Sequence, residues 1–188
     1  MPPGGKIILL HGASSSGKST LARALQATLS EPFWHISIDH LRDSGVLPSA
    51  RIASGDFRWK DMRPSFFDGF HRSLAAYARA GNNLIVEHIL DTPGWLPDLV
   101  RLLEPYDVYF VGVRCSLDEL VRRETARGDR PLGSAATDYQ TVHSGLVYDL
   151  EVDTEKSPSD NLTFVLESWS IRKSPSVFSR LAVSLPSA

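Results

Sequence analysis

The stretch Gly12-Ala13-Ser14-Ser15-Ser16-Gly17-Lys18-Ser19 carries the strongest chemical signal in the chain. It follows the apolar run Ile7-Ile8-Leu9-Leu10 and leads into Leu21-Ala22-Arg23-Ala24-Leu25, so it reads as strand, phosphate-binding loop, helix. Glycines let such a backbone curl until successive amides point inward, and the helix behind adds its positive dipole end. A polyphosphate fits there. Lys18 would reach the β- and γ-phosphates of a nucleoside triphosphate, and the Ser19 hydroxyl would hold the Mg²⁺ that bridges them. Thr20, next on the helix, completes the nucleotide-side candidates Gly12, Ala13, Ser14, Ser15, Ser16, Gly17, Lys18 and Ser19.

Phosphoryl transfer also needs a group that orients or deprotonates the acceptor hydroxyl and cations that neutralise charge. Asp39 follows the alternating Trp34-His35-Ile36-Ser37-Ile38, which places it at the C-terminal end of a strand as the candidate base. An N-cap of the His40-Leu41 turn is the structural alternative. Glu87 follows Leu84-Ile85-Val86 and would order Mg²⁺ through water, bind substrate, or serve as a plain structural carboxylate. Arg122, Arg123, Arg127 and Arg130 make residues 122–136 a basic segment with Gly128 and Gly133 as flexible ends, a candidate lid. Within it Arg127 and Arg130 are the candidates for stabilising transition-state charge, and Arg123 joins the nucleotide-binding set. A solvated helix face is the alternative for all four. His35, His88 and His143 are too scattered to suggest a metal site, and Cys115 reads as a small buried hydrophobe.

Positioning these groups calls for a parallel α/β sheet, whose strand ends open onto one crevice. The pattern predicts strands at residues 6–11, 34–38, 84–86, 107–114 and 146–152 and helices at 17–29, 64–80, 93–103, 117–127 and 158–169, with a short helix to about 143. Pro64 is expected to open its helix, and Ser157-Pro158 to cap the last one. Between Leu41 and Met62 the period breaks down; Arg51, Phe57, Arg58, Trp59 and Arg63 there would line a pocket or form ordinary surface. Residues 174–188 carry weak signals and are expected to be loosely ordered. No repeat or linker divides the chain, so 1–188 is expected to be one domain.

The 188 residues carry a formal charge of −2 and one cysteine. No broad basic field of the kind nucleic-acid binders use is present, no internal disulfide can form, and no apolar run is long enough to span a bilayer. The expectation is a cytoplasmic protein whose partner is a small molecule, not nucleic acid or membrane.

Several spaced blocks resemble the chloramphenicol phosphotransferase family: Val111-Gly112-Val113-Arg114-Cys115, Arg123 to Arg130, Val142-His143, and Tyr148-Asp149-Leu150-Glu151-Val152-Asp153-Thr154. The resemblance implies a P-loop fold similar to the nucleoside monophosphate and shikimate kinases, with a five-stranded parallel sheet flanked by helices. It also implies ATP as donor and a hydroxyl of a small molecule as acceptor. Asp39 stands where that family has its base, Lys18 and Ser19 match its P-loop pair, and Arg127 and Arg130 its lid arginines. No block of the family is found between Leu47 and Pro64, and Glu87-His88 stands where an aspartate-containing pair is expected. Chloramphenicol or a related antibiotic is therefore one candidate acceptor; a nucleoside, sugar or other metabolite kinase, or a nucleotide-dependent regulatory protein, are the alternatives.

Overall fold

In the computed structural model, which describes residues 4–127 and 133–185, the first apolar run is buried on both faces: Ile7, Ile8, Leu9 and Leu10 are each 0% exposed. It forms β1 (Lys6–His11), followed by α1 (Lys18–Thr28), β2 (Phe33–Ser37), α2 (Ile38–Asp43), α3 (Ser49–Ala53), α4 (Trp59–Arg79) and β3 (Asn83–His88). Next come α5 (Trp95–Leu103), β4 (Asp107–Arg114), α6 (Leu117–Arg127), α7 (Ser134–Thr141), β5 (Leu150–Asp153), α8 (Pro158–Ser170) and α9 (Val177–Ser184). The five strands make one parallel sheet in the order β2-β3-β1-β4-β5.

Side chains alternate along a strand. Ile7 and Leu9 therefore enter one apolar layer with Phe70 and Leu74 of α4, Leu99 of α5 and Phe178 of α9. Ile8 and Leu10 enter the other, with Leu21 and Leu25 of α1 and Val165 and Trp169 of α8. Burying one such side chain completely is worth about 1.5–3 kcal/mol relative to leaving it exposed. Because α1 and α5 cover opposite faces, the chain leaves the C-terminal ends of β1 and β3 in opposite directions. A crevice opens between them, the place where parallel α/β sheets bind ligands.

Four local readings of the sequence are corrected. Pro64 lies inside α4 instead of opening it. The extra turn is held by its own contacts: Arg58 Nε donates to Asp61 at 2.7 Å, and the Trp59 ring meets Phe66 edge-on at 5.5 Å. Those contacts accompany the loss of one helical hydrogen bond at the proline. The fifth strand begins at Leu150, not at 146, because Asp149 turns its carboxylate back to accept the Phe110 amide at 2.8 Å and Tyr148 packs over Gly112. The expected loose tail contains α9, whose Val177 and Phe178 are 2% and 1% exposed and whose first amide donates to Asp149 at 2.8 Å. Finally, Asp39 sits in the first turn of α2, directly after β2, and not at a strand end.

Candidate active site

The P-loop owes its shape to two glycines. A Cβ on Gly12 would stand 2.3 Å from the Val113 carbonyl oxygen, so only glycine lets β1 leave the sheet this close to β4. Gly17 has φ +91°, the left-handed conformation, and caps α1 without any side-chain acceptor. The opening amides of α1 are thereby offered to an anion. Lys18 is buried and folded back over the loop, its Nζ donating to the carbonyls of Gly12 at 2.8 Å and Ala13 at 2.7 Å.

Beyond the loop lies a cavity of about 760 Å³. Ser14, Ser15, Ser16, Gly17, Lys18, Ser19 and Thr20 line it, together with Asp39, Glu87, Arg123 and Arg127. The fold thus brings these four distant carboxylate and arginine candidates to the one loop. Gly12 and Ala13 are buried and are not among the lining residues; Arg130 lies outside the described residues. Arg51, Phe57, Arg58, Trp59 and Arg63 do not line the cavity. Arg51 pairs with Asp56 and stacks on Phe57, while Arg63 pairs with Asp91 and lies against both Phe67 and Trp95, 4.8 and 4.5 Å from ring centroids that are themselves stacked at 4.1 Å.

Ser19 and Glu87 meet directly: the serine hydroxyl donates to Glu87 Oε2 at 2.7 Å. The other carboxylate oxygen, Oε1, is 2.5 Å from His35 Nε2. Burial pushes the Glu87 carboxyl up, but the hydrogen bonds from His35 and Ser19 and the charge of Lys18 outweigh it and leave the pKa below the usual value. Glu87 is therefore ionised at neutral pH. A hydroxyl and an ionised carboxylate side by side at the P-loop suit a hard cation that keeps most of its waters, as Mg²⁺ does. Among the described residues no group of three or more His, Cys, Asp or Glu is placed to hold a metal.

Asp39 Oδ1 pairs with Arg42 at 3.0 Å. The cap of α2 is Ser37, whose hydroxyl accepts the His40 amide at 3.2 Å, so Asp39 is not needed for that duty. On the opposite wall Arg123 is fixed by Glu119 at 2.7 Å and by the Thr154 carbonyl at 2.9 Å. Thr154 in turn donates to the Ser16 carbonyl at 2.7 Å, tying α6 and the end of β5 to the P-loop. Glu124, 3% exposed, accepts the amides of Gly133 and Ala135, both at 2.9 Å, and so caps α7 from α6.

The histidines, given no role from the sequence, are largely structural. His88 lines the cavity, yet its Nδ1 accepts the Leu90 amide at 2.8 Å and its Nε2 faces His71 Nε2 at 2.8 Å, so both ring nitrogens are committed. His11 and His143 both meet the Tyr148 hydroxyl, at 2.9 and 2.7 Å. Cys115 packs with Ala13, Leu120, Ala135 and Val142, the small-hydrophobe role expected of it. No role was read from the sequence for His35, Glu124, Asp138 or Thr154. Glu124 and Thr154 did fall within blocks resembling the family, Glu124 inside Arg123 to Arg130 and Thr154 as the last residue of its block.

Solved proteins share the fold. The APS kinase CysC of Mycobacterium tuberculosis, solved with AMPPNP and APS, superimposes with a TM-score of 0.67 at 18% identity, covering 90% of this chain and 99% of that one. Shikimate kinase from Acinetobacter baumannii, solved with shikimate, gives 0.61 at 14% identity, covering 90% and 94%. At such identities the likeness is one of fold. A protein of Mycobacterium tuberculosis (strain ATCC 25618 / H37Rv) named "Putative O-phosphotransferase Rv2636" is 32% identical over 199 residues, 95% of this chain and 88% of its own. Fold and site together define the class, a P-loop kinase acting as a small-molecule phosphotransferase. The chain belongs to the chloramphenicol phosphotransferase-like family, whose model matches residues 5–170. No described helix is long and apolar enough to cross a membrane.

Proposed function

We propose that this protein transfers the γ-phosphoryl group of ATP to a hydroxyl of a small molecule in the cytoplasm. The observation that carries the reading is the convergence of Lys18, Ser19, Asp39, Glu87 and Arg127 on one cavity at the C-terminal ends of β1 and β3. Ser19 and, through water, Glu87 would hold Mg²⁺, which would supply charge neutralisation at the phosphates. Lys18 leaves the carbonyls of Gly12 and Ala13 for the triphosphate. Arg123, Arg127 and, from the lid, Arg130 offset the charge that develops on the transferred group. Asp39 accepts the acceptor's hydroxyl proton as the bond to phosphorus forms.

The acceptor end of the cavity narrows the choice of substrate. Ser37, Ile38, Asp39, His88 and Ile89 line it, and the basic lining residues among those described sit instead on the P-loop helix, α6 and the segment after β5. Arg42 stands beside Asp39 but is paired with it and with Asp43. That arrangement favours an uncharged acceptor over a carboxylated or phosphorylated one, and chloramphenicol and related neutral antibiotics are the first to try. Asp39→Asn tests the assignment. ATP affinity should stay within about twofold while turnover falls by about 10²–10⁴-fold; equal turnover in the variant removes Asp39 from the mechanism.

A further inference from the structure

His35 reaches the Glu87 carboxylate on the oxygen that Ser19 does not hold. It lies on β2, on the same sheet face as Phe33 and Ser37, where parallel pairing sets His35 opposite Ile85 and Ser37 opposite Glu87. Its side chain is 7% exposed, that of Glu87 8%. The ring is held from the far side by His40, edge to face at 4.7 Å between centroids. Glu87 therefore has both oxygens assigned, Oε2 to the Ser19 hydroxyl and Oε1 to His35 Nε2. A carboxylate fixed at one oxygen only is free to swing about its terminal torsion, which is broad and shallow. Fixed at both, it presents one orientation to the P-loop serine.

We infer that His35 is a positioning residue for the metal site: it acts through Glu87, holding the carboxylate in register with Ser19 so that the hydrated cation of the nucleotide complex is met by a preset acceptor. The inference rests on the Mg²⁺-nucleotide reading of the cavity. Partners of this kind, one step removed from the cation, typically change metal affinity by 10–100-fold when lost.

The test uses Mn²⁺ as a paramagnetic probe, titrated into the protein with saturating ADP and followed by electron paramagnetic resonance, beside ADP binding measured in EDTA. His35→Phe keeps the ring and removes the donor; it should weaken Mn²⁺ binding about tenfold while ADP affinity in EDTA stays within about twofold. His35→Gln places an amide donor near the Nε2 position and should recover most of the loss. In a Glu87→Gln background, His35→Phe should add less than about twofold. Unchanged Mn²⁺ affinity in His35→Phe, or an undiminished penalty without the Glu87 charge, overturns the inference. If His35→Phe does not fold, His35→Asn against His35→Gln decides, since only Gln reaches Glu87; equal affinities overturn it. Wild-type protein that binds neither ADP nor Mn²⁺ would instead refute the nucleotide reading itself, a failure distinct from either of those.

Discussion

Asp138 on α7 accepts a hydrogen bond from the backbone amide of Ser14 at 2.9 Å, so α7 grips the phosphate loop directly. Glu124 fixes the start of that helix from α6, and Thr154 fixes α6 to the same loop. The P-loop is thus held in shape by two carboxylates and a threonine from elements far along the chain. A hydrogen bond to a charged acceptor is worth about 1.5–3 kcal/mol. Asp138→Ala should weaken ATP binding by about three- to tenfold, with Asp138→Asn, which keeps an acceptor, close to wild type. Calorimetric titration decides; tighter binding in Asp138→Asn would mean that the carboxylate competes with phosphate for the loop.

The Tyr148 hydroxyl joins His11, at the entry to the P-loop, to His143, beyond α7. Tyr148→Phe strands two ring nitrogens and should cost about 1–3 kcal/mol. For a chain of this size that is a fall in melting temperature of about 2–4 °C per kcal/mol. Gly112→Ala should cost more, because the new Cβ would stand 2.7 Å from the Tyr148 ring and displace it. A thermal melt of Gly112→Ala at or above the Tyr148→Phe value would refute the packing argument.

Acid should unfold the protein through its buried histidines. Burial lowers the pKa of His11 from 6.5 to about 3 and of His143 to about 4, and lowers His71 and, further, His88. Below pH 6.5 the unfolded chain takes up protons on these rings and the folded chain does not, so stability is complete above 6.5 and declines as pH falls toward 4. His11 and His88 each contribute a slope of up to about 1.4 kcal/mol per pH unit in that window. Urea midpoints at pH 7.5, 6 and 5 should fall in that order, and the decline should be shallower in His143→Gln. A midpoint independent of pH over this range contradicts the assignment.

What could be read from the sequence was what is local. The P-loop, the buried strand β1 and the capped helix α8 are each specified by consecutive residues, and all appear where expected. The Ser19–Glu87 meeting was legible only as two separate candidates, because the two are 68 residues apart and the strand order joins them. His35 and Thr154 were passed over for the same reason, with partners 52 and 138 residues away. The start of α4 was misplaced because Pro64 is a strong local stop signal that the contacts of Trp59 and Arg58 override. The helix α9 was missed because its burial depends on the surface between β4 and α5 that it covers, which no property of residues 177–184 announces.

The central claim is phosphorylation of a small hydroxylated acceptor at the expense of ATP. Mass spectrometry of chloramphenicol, followed by a panel of neutral hydroxylated compounds, after incubation with the protein, ATP and Mg²⁺ tests it directly, with Lys18→Ala as the blank. Wild-type protein should yield a product heavier by one phosphoryl group, and the blank none. Steady ATP hydrolysis that no acceptor in the panel stimulates, with no phosphorylated product, would contradict it and indicate a nucleotide-dependent regulatory protein instead.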